Sequence, residues 1–104
     1  MNNIDKEQRN ELIKILDALI ETIVKMRKEK KDYILAQNER EAREWITFLK
    51  EHEDKEELKS LENEISDRFF YKFDVQVENS ELDNRRTELM KMYISKSNDF
   101  LKKY

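Results

Sequence analysis

The sequence predicts an all-α protein: an antiparallel helical hairpin of two long helices, with a three- or four-helix bundle as the alternative. Three observations predict this class. Apolar residues recur every three or four positions along most of the chain, which is the spacing of one helix face. Charged residues make up 43% of the 104 residues, so the apolar stripe is narrow and the remaining surface is solvated. The chain has no Gly and no Pro, the usual residues of helix ends and tight turns.

The first helical arm is predicted over residues 4–50. Asn3 or Asp5 can cap its start, because their side-chain oxygens accept hydrogen bonds from the free N–H groups of a first turn. A heptad-like seam follows, and further apolar residues widen it beyond what one partner helix covers. The seam consists of Leu12, Leu16, Leu19, Ile23 and Met26, and the widening residues are Ile13, Ile15, Ile20 and Val24.

The apolar stripe continues to Leu49 with polar interruptions at Lys30 and Asn38. Asn38 and Glu41 have the spacing of a capping box that begins a new helix, and they are equally compatible with a polar notch in a continuous one. We favour continuity, because no Gly or Pro lies nearby to end the helix. An arm of about 45 residues would be about 68 Å long.

A reversal is predicted at residues 51–55, in a stretch without apolar side chains. Asp54 can cap the helix that follows, with Glu57 three positions later as the second member of a capping box. The second arm is predicted over residues 56–103. Its apolar face begins with Leu58, Leu61, Ile65 and Phe69.

The second arm is expected to be interrupted near residues 75–80. Ser80, followed three positions later by Asp83, can cap a final helical segment. Residues 70–77 fit both a strand, by alternation, and a helix, by four-residue spacing. Helix is favoured, because no other segment alternates and could pair with a strand there.

The whole chain, residues 1–104, is expected to form a single helical domain. A two-helix hairpin buries one seam, so its additional apolar surface requires a partner. That partner would be another helical protein or a second copy of this chain. The predicted partner-binding residues are Ile13, Ile20, Val24, Trp45, Phe69, Phe70 and Phe73.

The sequence predicts no enzyme, no cofactor, no small-molecule substrate and no metal site. The absence of Gly excludes glycine-rich phosphate loops, and the absence of Cys leaves only Ser or Thr as a nucleophile beside the one His. His52 lies in an acidic turn, with Glu56 four positions later as a second potential ligand. Two ligands are too few for a metal site, and we interpret His52 as a solvated turn residue.

Nucleic-acid binding is not favoured. The one basic cluster, Lys25–Lys31, is interrupted by Glu29, and the sequence pI of 5.3 is far below the value above ~9 typical of nucleic-acid modules. Four basic residues of the second arm are interpreted as solvated residues in i,i+4 ion pairs. They are Arg85, Arg86, Lys91 and Lys96.

No signal peptide and no membrane span are predicted. The N-terminal residues have no continuous apolar region. No apolar run approaches the ~20 residues of a membrane helix. We therefore expect a protein made in the cytoplasm, with any secretion independent of a classical signal peptide.

Two helical arms of about fifty residues, a central reversal and Trp45 just before it resemble the small helical-hairpin proteins of type VII secretion. These are the WXG family and the short helical partners of LXG toxins. Thr47 stands where the Trp-x-Gly motif has Gly, and Phe70 with Asp74 alone matches the aromatic–acidic spacing of the secretion signal. The resemblance implies a dimer, or a partner that docks on the helical N-terminal domain of an effector.

These observations favour a non-enzymatic protein–protein interaction module that docks on another helical protein, with type VII secretion as its setting. The alternative is a small acidic inhibitor, of the phage or mobile-element kind, that blocks a nuclease or a DNA-binding protein. The chain has 24 acidic residues but also 21 basic ones, and a mimic of nucleic acid should concentrate its negative charge.

Overall fold

The computed structural model describes residues 3–29, 33–61 and 81–101. Helix α1 is Lys6–Glu29, α2 is Tyr33–Glu51, α3 includes residues 55–61 and α4 is Glu81–Phe100. Within these ranges the only extended pairing is one isolated antiparallel bridge, between Asn3 and Asp54. The predicted all-α class is confirmed.

Helix α1 begins after Asp5, one of the two predicted caps. The N–H of Arg9 donates to the carbonyl oxygen of Asp5 at 2.9 Å, which closes the first turn. The seam predicted for this helix is the centre of the core. All five seam residues are buried: Leu12, Leu16, Leu19, Ile23 and Met26.

The arrangement of two long arms is not confirmed, because α1 and α2 are separate antiparallel helices that pack against each other. The N–H of Ile4 donates to the carbonyl oxygen of Glu53 at 2.8 Å, so the start of α1 lies beside the end of α2. At the other end, Arg27 contacts Glu39 at 3.0 Å. The protein is 45 Å along its longest axis, too short for a straight arm of about 68 Å.

The physical reason for this correction is the width of the apolar face of α1. A single straight helix would leave much of that face in water, whereas a returning α2 covers it. The side chains of Leu35, Ala42 and Leu49 in α2 are fully buried in the shared core. The absence of Gly and Pro does not prevent a reversal, since the chain folds back between α1 and α2 without either.

Helix α2 ends at Glu51, and residues 52–54 separate it from α3, inside the predicted reversal. Asp54 caps α3 as predicted: its Oδ1 accepts the N–H of Glu56 at 2.8 Å. Among the described residues, the side chain of Glu57 does not accept a hydrogen bond from the N–H of Asp54, which the expected capping box requires. Its carboxylate instead lies 2.7 Å from Nδ1 of His52. Leu58 of α3 is fully buried in the core.

Helix α4 packs against α1 and runs antiparallel to it, since Lys96 near its end pairs with Glu11 near the start of α1 at 3.3 Å. It therefore runs parallel to α2. Helix α1 is the shared element, with α2 on one flank and α4 on the other. Ser80, the predicted cap of α4, and the predictions for residues 70–77 lie outside the described residues.

Candidate functional site

The predicted partner-binding residues fall into three groups. Trp45 is 1% exposed and Ile20 is 8% exposed, so both belong to the core of this chain. Ile13 and Val24 are partly buried and pack against that core. Phe69, Phe70 and Phe73, the aromatic part of the prediction, lie outside the described residues. A side chain as enclosed as Trp45 could reach a partner only if the helices separated.

Ile13, Ile20 and Val24 form one row on α1, which we call the α1 row. Their spacings of seven and four residues place them on one helix face. Arg27, three positions beyond Val24, continues this face and pairs with Glu39 of α2. The α1 row therefore runs along the α2 side of the helix. Much of the width that the sequence analysis assigned to a partner is covered by α2, and a partner contact at the row remains a prediction.

A buried polar cluster joins α2 to α4 on the inner side of the bundle. Arg86 is 1% exposed, and its Nη1 donates to Oδ1 of the fully buried Asn38 at 2.8 Å. Its Nε and Nη2 donate to Oδ1 of Asp83, one turn earlier on α4, at 3.1 and 2.9 Å. The interpretation of Arg86 as a solvated residue is therefore wrong.

Spacing explains why Arg86 is buried. It precedes Leu89 by three positions and Tyr93 by seven, so it shares the apolar face of α4. A cation on such a face is stabilised only if charged or polar groups meet it. Asp83 and Asn38 are those groups. The signal in the sequence was the coincidence of two polar interruptions, one in the stripe of α2 and one in that of α4.

Asn38 is only half satisfied. Its Oδ1 accepts from Arg86, whereas its Nδ2 is buried and has no hydrogen-bond partner among the described residues. A buried unmatched donor costs about 1–3 kcal/mol, so Asn38 contributes less to stability than an apolar residue of similar size would. Its presence therefore needs a reason other than stability.

Glu39 forms an ion-pair cluster where the ends of α1 and α2 meet. Its carboxylate accepts from Arg27 at 3.0 Å and from Arg43 at 3.1 Å, and its side chain is 16% exposed. Partial burial alone would raise the pKa of Glu39. The hydrogen bonds from Arg43 and Arg27, together with their positive charges, outweigh burial and hold the pKa below its usual value.

An open groove of about 400 Å³ lies between α1 and the start of α4. Ala18 and Leu82 contribute apolar surface to it. Thr22 also lines it, and its hydroxyl donates to the carbonyl oxygen of Ala18 at 2.8 Å. The charged residues of the groove are of both signs, so it selects no ligand by charge. They are Glu21, Lys25, Glu81 and Arg85.

None of the described helices is long and apolar enough to cross a membrane. In the same part of the chain, no three His, Asp or Glu side chains come together as a potential metal site. The chain matches no family model, no curated protein and no solved structure.

Proposed function

We propose that this protein is a non-enzymatic protein–protein interaction module that docks on another helical protein or on a second copy of itself. The observation that carries the proposal is the α1 row, whose outer members Ile13 and Val24 remain partly exposed beside the core. Apolar side chains continuous with a core and open to solvent at one edge are typical of helix–helix interfaces.

Aromatic exposure adds to this surface. Tyr33, the first residue of α2, is 78% exposed. It lies close in sequence to the end of α1, where Arg27 and Glu39 join the two helices. Tyr is enriched at protein interfaces because it combines a large apolar ring with a polar hydroxyl. The proposed interface therefore runs along α1 from Ile13 towards the end of the helix that faces Tyr33.

The charge pattern supports this proposal over the acidic inhibitor. Acidic side chains on the described surface are repeatedly paired with basic ones, as in Glu21 with Lys25 at 3.6 Å and Glu11 with Lys96 at 3.3 Å. Paired charges cancel the field that would steer a basic, nucleic-acid-binding protein to a mimic. They do not prevent docking through apolar side chains, and they set its specificity.

In finer terms, we propose a partner or targeting factor of the type VII secretion kind, which acts in the cytoplasm or is exported with its partner. This part rests on the resemblance of the sequence. With Trp45 in the core, the partner would meet the exposed edge of the α1 row and not the Trp face. Its own docking surface should be an amphipathic helix with apolar residues at three- and four-residue spacing.

The experiment compares two matched variants. Ile13→Lys with Val24→Lys places charges on the exposed edge of the α1 row, where the long Lys stems can keep their ends in water. Met92→Lys, on α4, changes a side chain that is 45% exposed and lies away from the row. Self-association is measured by sedimentation velocity, and binding by co-purification with the helical product of a neighbouring gene or with the helical N-terminal domain of an LXG toxin.

We expect the row variant to weaken association at least tenfold while circular dichroism shows unchanged helicity, and Met92→Lys to bind as the unaltered protein does. A protein that stays monomeric at high concentration, melts cooperatively and gains no stability from either probe would contradict the proposal. Equal losses in both variants would show that the interface lies elsewhere.

A further inference from the structure

Helices α2 and α4 are joined by contacts that repeat at the same interval on both. Asn38 meets Arg86, and the ring of Trp45 lies 6.0 Å from that of Tyr93. Each member of the second pair is seven residues beyond its counterpart in the first. Seven residues are two helical turns, so the two parallel helices carry one polar layer and one aromatic layer in step.

The two layers respond differently to a shift of α4 by one turn. A shift towards the start of α2 would place Arg86 at the level of Leu35, which is fully buried and cannot accept a hydrogen bond, so the guanidinium would lose its acceptor on α2 inside the core. A shift the other way would place Arg86 at the level of Ala42, beside the buried carboxylate of Glu41, which can accept from it. Tyr93 would face Ala42 or Leu49, which are apolar like Trp45. The aromatic layer therefore tolerates both shifts, whereas the polar layer opposes the shift towards Leu35.

Asp83 makes the polar layer directional. It holds Nε and Nη2 of Arg86 from within α4, which leaves Nη1 to reach across to Asn38. The position of the Arg86 guanidinium is therefore set by a residue of α4 itself, independently of its contact with α2. The planar guanidinium suits this task because its donors diverge in a fixed fork.

We propose that the Asn38–Arg86 pair sets the register of α4 against α2, selecting one alignment of the bundle and adding little to its stability. The unmatched Nδ2 of Asn38 agrees with this role, because a pair optimised for stability would leave no donor buried and unsatisfied. Single buried polar residues fix the alignment of parallel helices in coiled coils in the same way, at a cost in stability.

The test uses an uncharged replacement of the whole cluster: Asn38→Leu, Asp83→Asn and Arg86→Met together. Trp45 is the only Trp of the chain, so its indole resonances are unambiguous, and nuclear Overhauser contacts between Trp45 and Tyr93 report the register. Arg86→Met alone is the broken-pair variant. Arg85→Met, which removes the neighbouring exposed cation, is the matched control.

We expect Arg86→Met alone to raise the equilibrium constant of unfolding at least tenfold, because Asn38 and Asp83 stay behind without their cation. The triple variant should unfold with a constant within about threefold of the original protein or below it. Its Trp45 indole should give more than one set of signals, and its contact with Tyr93 should weaken or be lost. Arg85→Met should keep one set of signals and that contact.

Two results would overturn the proposal. One is a triple variant with a single set of signals and an intact Trp45–Tyr93 contact, which would show that register is set elsewhere. The other is a triple variant that unfolds while Asn38→Asp, which keeps an acceptor for Arg86 and removes the unmatched donor, folds normally. That pair of outcomes would show that the polar cluster supplies stability and not alignment.

Discussion

The two flanks of α1 are built differently. On the α2 flank, fully buried Leu35, Ala42 and Leu49 meet the seam, and contacts close both ends: the hydrogen bond from Ile4 to Glu53 and the ion pair of Arg27 with Glu39. Both flanks bury a charged side chain, Glu41 on α2 and Arg86 on α4, but on the α4 flank an open groove remains near the start of α4.

This difference separates two tasks that one core performs. The α2 flank removes apolar surface from water through Leu35, Ala42 and Leu49 and so supplies adhesion. The α4 flank also buries apolar side chains, and it adds Arg86, whose hydrogen bonds are directional. Apolar burial alone permits several alignments of two packed helices. Hydrogen bonds fix one alignment but, without apolar burial, hold the helices together only weakly. The molecule places the two on neighbouring flanks of the same helix, and α2 and α4 also contact each other.

The largest expected effect tests this comparison directly. Leu49→Ala on the α2 flank should lower the free energy of unfolding by about 3–4 kcal/mol, because the cavity is closed on every side. Leu89→Ala on the α4 flank should cost about 2–3 kcal/mol, because the long side chain of Arg86 and the open groove allow partial collapse. Urea denaturation of both variants measures the two values. An equal or larger loss for Leu89→Ala would remove the distinction between the flanks.

A smaller effect is expected where the α2 flank is closed at its end. Ile4 is buried, and Ile4→Ala should lower the free energy of unfolding by about 2 kcal/mol through lost burial beside Glu53. Ile4→Val is the control and should cost less than about 1.5 kcal/mol. Hydrogen exchange should show faster exchange at Ile4 in the Ala variant. Unchanged exchange at Ile4 would contradict this, because it would mean that the hydrogen bond from Ile4 to Glu53 persists without the buried side chain.

The ion-pair cluster at the other end should make the α2 flank sensitive to pH. The pKa of Glu39 is lowered in the folded protein, so at pH values below its ordinary pKa of 4.5 the unfolded chain binds a proton that the folded chain does not. The stabilisation by Glu39 is present above that pH and is lost as pH falls through the folded pKa.

Thermal melts from pH 7 to pH 3 measure this effect. Glu39→Gln should be less stable than the original protein at pH 7 and equal to it near pH 3. Glu21→Gln is the matched control: Glu21 also pairs with a basic residue, Lys25, but its side chain is 72% exposed. A constant difference between Glu39→Gln and the original protein at all pH values would contradict the role of the charge.

The smallest effect is expected for the exposed ion pair of the α4 flank. Lys96→Ala should change the free energy of unfolding by less than about 0.5 kcal/mol, because Lys96 and Glu11 are both well solvated. Arg9→Ala, at the α2 flank, should cost more, about 0.5–1 kcal/mol, because the side chain of Arg9 is largely covered. Chemical denaturation in low and high salt measures both. A larger loss of unfolding free energy for Lys96→Ala than for Arg9→Ala would contradict the expected order of the two ion pairs.

The features that the sequence predicted well depend on local spacing. The seam of α1, the start of that helix after Asp5 and the cap at Asp54 follow from residue type and helical period, and the structure has all three. Each is decided within a few residues of itself, so neighbouring sequence contains the necessary information.

The features that it missed depend on which helices meet. The return of α2 along α1 is decided by the apolar area that both helices cover, whereas the absence of Gly and Pro favoured a continuous arm. Arg86 resembles any surface arginine until Asn38 and Asp83 are brought to it, and Asn38 lies 48 positions away in the chain. The partner surface is likewise redefined by tertiary contacts, since α2 lies along the row that contains Ile20.

The antiparallel packing of α1 with α4 has a mechanical consequence. Lys96 and Glu11 lie near the end of the bundle where the described chain starts and also where it stops. A force that pulls the start of α1 away from the end of α4 would act across the α1–α4 contact. It would separate the two helices one layer of side chains after another, beginning at that end. Helices loaded in this way separate under less force than helices made to slide past each other, so the molecule should be compliant along this direction and stiff along its 45 Å axis.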